Sequence, residues 1–332
     1  MSSPGGVVLR PRAFDQFGGD EAAMRKWGMD ESAALMKPDE KTGMVFAEKT
    51  ALMIAYERQL ESERPATERL FDDWLAKAMC DEDDNANVGK RVSDCMAVGL
   101  KAIFDPTDNI GFGFEGHVQY TAARTCLIND HLSRWLEKQK GEASGASEGS
   151  KLRKQILNLG AGLDTRPFWL ETLASADSFV EVDTTPICEW KARILEKVEA
   201  KKGALSPVCK RQVVPMDFAK ESVKDLPSHG VNFVETVCCW ILEGLIMYLK
   251  KEEVDAMLRE ISDLSSPGSY LMLNFMKGSP SADPDTTHAL LTEKGWEREA
   301  LLYFGEPGFS YGRYPPDKPA NASFGFSFYT KR

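Results

Sequence analysis

A chain of 332 residues can bury one large core or two ordinary ones, and its 42% hydrophobic and 28% charged residues are the composition of a globular protein. A formal net charge of -10 would be repelled by phosphate backbones and anionic membranes, which excludes nucleic acid and membrane as general partners. The start, MSSPGGVVLRPRAF, lacks the long apolar run of a secretory signal and no later stretch approaches the roughly 20 apolar residues of a membrane span, so a cytoplasmic protein is expected.

Residues 1–45 are rich in Gly, Pro and charge, with only DEAAMRKW and MDESAALM suggesting short helices, and read as an arm lying over something else. From Lys49 onward TALMIAYERQLESE and TERLFDDWLAKAM space their apolar residues at three and four, as amphipathic helices do. A further helix is expected from about Tyr120 to Lys138, where Ala123, Leu127, Leu132, Trp135 and Leu136 share a face. KGEASGASEGSK, residues 140–151, is small and polar and reads as a flexible linker dividing a helical front (1–139) from a second domain (152–332).

Beyond it the pattern alternates. QILNLG and SFVEVD are strands, TPICEWKARILEKVEAKKG is a helix closing on Gly203, RQVVPMDF and NFVETVCCWILEG are strands, KKEEVDAMLREISDL is a helix, and GSYLMLNFM and ASFGFSFYT are strands. Strands alternating with helices of this length predict an α/β fold, a mostly parallel sheet with helices on both faces. Seven scattered cysteines without a CxxC pair give no disulfide framework or zinc ribbon, and the four histidines lack metal-ligand spacing, so no metal is expected.

The chemistry concentrates in ILNLGAGLDTRPFWL. A strand running into Gly160-Ala161-Gly162 brings bare backbone against whatever sits at the carboxyl edge of the sheet, where a side chain would block the approach. Glu181 and Asp183 follow at the end of the next strand, where an acid accepts hydrogen bonds from both hydroxyls of a ribose. A dinucleotide fingerprint wants a third glycine where Thr165 stands, and Asp164 at the mouth of the turn would repel a pyrophosphate. A ribose-bearing cofactor without phosphate, with a cationic centre and an amino group, fits better: S-adenosylmethionine. Taken alone, the two glycines are equally consistent with a tight turn that binds nothing.

GAGLDTR after a strand, EVD at the end of the next, LEGLIMYL after the fourth, and TALMIAYERQLESERP and AARTCLIND in the front half resemble the leucine carboxyl methyltransferase and tetracenomycin-type O-methyltransferase family, over roughly residues 47–275. The resemblance implies a Rossmann-like class I methyltransferase fold with a helical N-terminal cap, S-adenosylmethionine as cofactor, and a shell of cofactor residues. Arg124 matches the arginine that pairs with the methionine carboxylate, and Lys49 falls close to a lysine near the same group. Gly160, Gly162 and Asp164 form the turn. Asp183 matches the ribose acid, with Glu181 as its fallback. Asp217 matches an acid that accepts from the adenine amino group, beside Phe218, and Glu243 matches the acid near the cofactor's amino group and the methyl path. Glu243 and Tyr248 are assigned the catalytic roles.

Each assignment has a plainer alternative: a surface salt bridge for Arg124, a helix cap for Asp217 and Glu243, a satisfied histidine for His117, and core positions for Cys238 and Cys239. Methyl transfer from a sulfonium depends mainly on holding the acceptor about 3 Å from the methyl, in line and away from water. A carboxylate acceptor needs no base, whereas a phenol or alcohol usually does. The lack of a well-placed histidine favours a carboxylate or an acidic hydroxyl, and GLDTR and AARTCLIND resemble the small-molecule branch of the family. The acceptor pocket is expected under the N-terminal helices and residues 276–320, where Tyr303, Phe309, Tyr311 and Tyr314 could enclose a planar substrate and Arg313 an anionic one; a proline-rich surface loop is the alternative. Three other functions stay open: esterification of the C-terminal leucine of a phosphatase subunit, a nicotinamide oxidoreductase, and a cofactor-binding protein without catalysis.

Overall fold

Two kinds of segment organise the chain: charged helices at the front and near-continuous apolar strands behind. The structure is a computed structural model that describes residues 17, 18, 20–38, 43–80, 85–99, 116–144, 152–276, 279, 281 and 283–332. Its first unit comprises Met1–Cys126, Leu163–Thr165 and Phe304–Asn321; its second comprises Leu127–Gly162, Arg166–Tyr303 and Ala322–Arg332. Residues 1–16 of the expected arm lie outside the described residues.

In the first unit, α1 (Glu21–Leu35) starts at Asp20, whose carboxylate accepts from Ala23 N at 3.0 Å. It is one helix where the sequence suggested two short ones. α2 (Phe46–Ser62) is followed by the short α3 (Ala76–Cys80), so only the end of TERLFDDWLAKAM is helical. α4 (Asn85–Gly99) was not legible in the sequence. Leu35, Met53, Val92 and Cys95 bury together and join α1, α2 and α4.

α5 (Gly116–Ser144) continues through residues 140–144, which are helix and not linker; residues 145–151 lie outside the described residues. No helix of the described residues is long and apolar enough to cross a membrane.

In the second unit β1 (Arg153–Leu159), the one-turn α6 (Arg166–Trp169), β2 (Ser178–Asp183), α7 (Thr185–Lys202), β3 (Arg211–Pro215), β4 (Thr236–Leu242), α8 (Lys251–Leu264), β5 (Tyr270–Met276), α9 (Pro284–Glu293), β6 (Trp296–Phe304) and β7 (Asn321–Lys331) follow in order. The strands form a seven-stranded sheet in the order β3-β2-β1-β4-β5-β7-β6. Neighbours are parallel from β3 to β5, and β7 runs antiparallel to β5 with Asn274 opposite Phe326. Every residue of β4 is buried, so both faces of the sheet are covered, as parallel sheets require. Gly203 closes α7 at φ +91°, its N–H on Glu199 O at 2.8 Å, as the sequence predicts. β6 is the strand the sequence did not reveal.

The connections leave β1 toward β2 on one side and reach β4 on the other. Such a reversal opens a crevice outside the carboxyl ends of β1 and β4, the usual ligand position in open α/β sheets.

Candidate functional site

At the carboxyl end of β1 the chain turns through Gly160 (φ +69°) and Gly162 (φ +49°), a left-handed backbone that glycine adopts without steric cost. Gly160 N and Ala161 N both donate to Val182 O, at 2.8 and 3.1 Å, which ties the turn to the end of β2. A Cβ on Gly160 would stand 3.0 Å from Leu245 Cδ1, so the GAG turn and the EGL turn after β4 pack together. α6 is only one turn long, too short to present a substantial helix dipole to a pyrophosphate.

Asp183 closes the turn. Its Oδ2 accepts from Gly162 N and its Oδ1 from Thr184 N, each at 2.7 Å. Burial pushes this carboxyl up, against the pull of those two backbone donors. Each oxygen keeps a lone pair for a further donor. A recess beside the turn is lined by Gly162, Asp183, Ile187, Cys188 and Val213.

Glu181, the fallback acid, also borders that recess, but its carboxylate is committed. Lys191 Nζ sits 2.5 Å from Oε1, and Arg211 reaches Oε2 from Nε and Nη2 at 2.6 and 2.5 Å. The acid is 2% exposed, and two cations compensate the cost of burying it. Asp183 is therefore the acid presented at the turn, and Glu181 holds α7 and β3 to β2.

Glu243 follows β4 and is ion-paired to Arg166, Nη1 to Oε2 at 2.9 Å, while Arg166 Nε donates to Asn129 Oδ1 at 2.8 Å. The sequence demands a partner for Glu243; that partner, Arg166, was quoted in GLDTR without a role. Nothing in the spacing of residues 77 apart could have paired them. Tyr248 ends the short 3-10 turn Ile246–Tyr248 and is 47% exposed.

Asp217 caps a turn and not the helix of the plainer alternative, since the next helical turn, Val223–His229, is capped by Ser222. Its carboxylate accepts from Ala219 N at 3.0 Å and pairs with Lys220 Nζ at 2.7 Å, which holds it below the usual aspartate range, and Glu221 answers on Asp217 N. Phe218 packs partly buried against the sheet core. Cys238 and Cys239 are core residues of β4, their thiols pushed up by burial, Cys238 to about 12.

Lys49, Arg124 and Asp164 belong to the first unit. Lys49 is buried, and its ammonium donates to Leu35 O and Lys37 O at 3.2 and 2.7 Å, at the end of α1. Arg124, also buried, lies over the Tyr120 ring at 5.4 Å. Asp164 is buried between Leu163, whose carbonyl accepts from Arg58, and Thr165, whose hydroxyl donates to Asp73 at 2.5 Å. His117 is a satisfied histidine, Nδ1 at 2.8 Å from Glu57, which Ser93 and Thr121 also reach.

Three of the four aromatics expected to line an acceptor pocket, and Arg313, have other contacts. Phe309 and Tyr314 are buried with Tyr120 and Phe304 in the core of the first unit. Tyr303 stands edge-on to Phe275 of β5, and Arg313 is ion-paired to Glu61 and donates to Glu68 O.

The family described as leucine carboxyl methyltransferase matches residues 51–262. A protein of Parafrankia sp. (strain EAN1pec), provisionally named an S-adenosyl-L-methionine-dependent methyltransferase, is 31% identical over 254 residues, covering 76% of this chain and 70% of that one. A protein of Mycobacterium sp. (strain JLS) with the same provisional name is 28% identical over 71% of this chain and 69% of its own. A solved structure of a DUF574 family protein from Streptomyces avermitilis is 12% identical, covers 76% of this chain and 94% of that one, and has a TM-score of 0.45.

Proposed function

The chain belongs to the leucine carboxyl methyltransferase family, and from that premise we propose that it methylates an oxygen of a small molecule, a carboxylate or an acidic hydroxyl, with S-adenosylmethionine as donor. The observation that carries the site is the Gly162–Asp183 pair: a positive-φ glycine turn held at 2.7 Å by an acid at the end of β2, beside the crevice where the strand order reverses. The residues fit the cofactor. Asp183 has acceptor capacity for the sugar hydroxyls, the glycines leave the backbone bare, and Glu243, paired with Arg166, sets a carboxylate at the carboxyl end of β4.

Bound S-adenosylmethionine supplies an electrophilic methyl on a sulfonium. The protein's share is positioning. Asp183 would hold the sugar, Glu243 would meet the cofactor's positive end, and the exposed Tyr248 would be the side chain offered to the acceptor. Asp217 would accept from the adenine amino group with the lone pair that each of its oxygens keeps beside Ala219 N and Lys220. The roles of Lys49, Arg124 and Asp164 rest on the resemblance alone.

An acidic acceptor agrees with the histidines, each of which has other work: His117 on Glu57, His131 on Tyr270, His229 facing Glu221 and His288 near Thr292. A carboxylate is already a nucleophile at neutral pH. Calorimetry is expected to show binding of S-adenosylhomocysteine and none of NADH. Incubation with methyl-labelled donor is expected to label a component of a metabolite extract and leave a phosphatase subunit ending in leucine unlabelled. Labelling of the protein C-terminus instead would overturn the small-molecule acceptor.

A further inference from the structure

Three stretches that carry the family resemblance, AARTCLIND, GLDTR and LEGLIMYL, lie far apart in the chain, yet each contributes one side chain to a single buried contact. Asn129 of α5, Arg166 at the start of α6 and Glu243 after β4 form a row: Asn129 Oδ1 accepts from Arg166 Nε at 2.8 Å, and Arg166 Nη1 donates to Glu243 Oε2 at 2.9 Å. Arg166 is 1% exposed and Asn129 8%, and both belong to the second unit.

We infer that Arg166, braced by Asn129, is a positioning residue that holds the Glu243 carboxylate ionised and in one orientation at the carboxyl end of β4. The inference rests on the proposed cofactor role of Glu243. The physical case has three steps. A carboxylate removed from water is costly unless paired, and a guanidinium keeps its charge at any working pH. The guanidinium is planar, so a bond at Nε and another at Nη1 together fix its plane. A lysine supplies the charge without the second edge, so charge and orientation can be separated by substitution.

The test is calorimetric titration of the full chain with S-adenosylhomocysteine, with folding checked by circular dichroism. Arg166→Met and Glu243→Gln are each expected to weaken binding at least tenfold. The double variant should lose no more than the worse single, because both changes break the same unit. Arg166→Lys should recover part of the loss, and Asn129→Ala should weaken binding about threefold without removing any charge. Losses that add in the double variant, or a folded Arg166→Met with full affinity, would make the arginine merely structural and overturn the inference. Should Arg166→Met not fold, Arg166→Lys takes its place in the same cycle, with additivity again the overturning result. No heat from the wild-type protein would sink the functional proposal and this inference together; normal wild-type binding with unaffected variants sinks only the inference.

Discussion

Removing Asp183 and removing Glu181 are expected to have different effects, although the two acids stand two residues apart on one strand. Asp183→Ala should weaken S-adenosylhomocysteine binding at least tenfold, about 1.4 kcal/mol. It should also cost some stability, because Gly162 N and Thr184 N lose their acceptor. With its folded value raised above 3.8, the group contributes stability below that pH and loses it as pH rises through the raised value, whereas cofactor binding needs the charge and weakens on acidification. Glu181→Gln leaves Lys191 and Arg211 beside a neutral amide and should cost about 3 kcal/mol or more in urea unfolding, with affinity retained in the folded fraction. Equal losses of affinity in the two variants would reverse the assignment. The residue types at the turn were legible because glycine and acid recur at fixed places in such sheets. The choice between the two acids was not, because Lys191 on α7 and Arg211 on β3 make it. For the same reason Arg166 remained an unassigned letter in GLDTR, since its partner Glu243 stands in the turn after β4.

Elements were legible where local pattern and tertiary demand agree. β4 is an unbroken apolar run and buries every residue, and α8 repeats its apolar positions at helical spacing. α4, NANVGKRVSDCMAVG, is full of weak helix formers and exists because Val92 and Cys95 bury against α1 and α2. α1 continues through Gly28, where a Cβ would stand 2.5 Å from Val98 Cγ1, so the glycine between the two stretches DEAAMRKW and MDESAALM lets α4 approach. β6, WEREALLYF, carries helix formers, and its place at the end of the sheet overrides them. The join between α5 and the sheet yields a prediction of its own. His131 is 6% exposed, stacks on Phe328 at 3.5 Å and shares a 2.7 Å hydrogen bond with Tyr270. Burial, aided by Arg134, lowers its pKa from 6.5 to about 3. A depressed histidine contributes stability above pH 6.5 that is lost as pH falls toward 3, by up to about 1.4 kcal/mol per pH unit. Urea midpoints between pH 6.5 and 4 should fall steeply for the wild type. His131→Gln should start lower at pH 8 and fall less; parallel curves would show that His131 does not carry the acid sensitivity.

For the whole chain, the sequence's strand-helix alternation gave the parallel half of the sheet, and its missing third glycine argued against a dinucleotide. The antiparallel end, β7 lying between β5 and β6, has no local signal because it depends on where the last strand inserts. What the assembled sheet adds is a thermodynamic expectation. A ligand that binds only the native state stabilises by about 2.7 kcal/mol at a hundredfold excess over Kd. S-adenosylhomocysteine at that excess should raise the thermal midpoint, and NADH at any soluble concentration should not, because α6 is a single turn and Thr165 stands where the third glycine would admit a pyrophosphate. The variants separate site from scaffold in the same scan. Glu181→Gln should melt lower yet keep the full increment, whereas Asp183→Ala should lose the increment whatever its own midpoint. A rise in midpoint with NADH would place a dinucleotide in the crevice. Loss of the increment in Glu181→Gln would mean that the Lys191–Glu181–Arg211 clamp shapes the cofactor site and does not only support it.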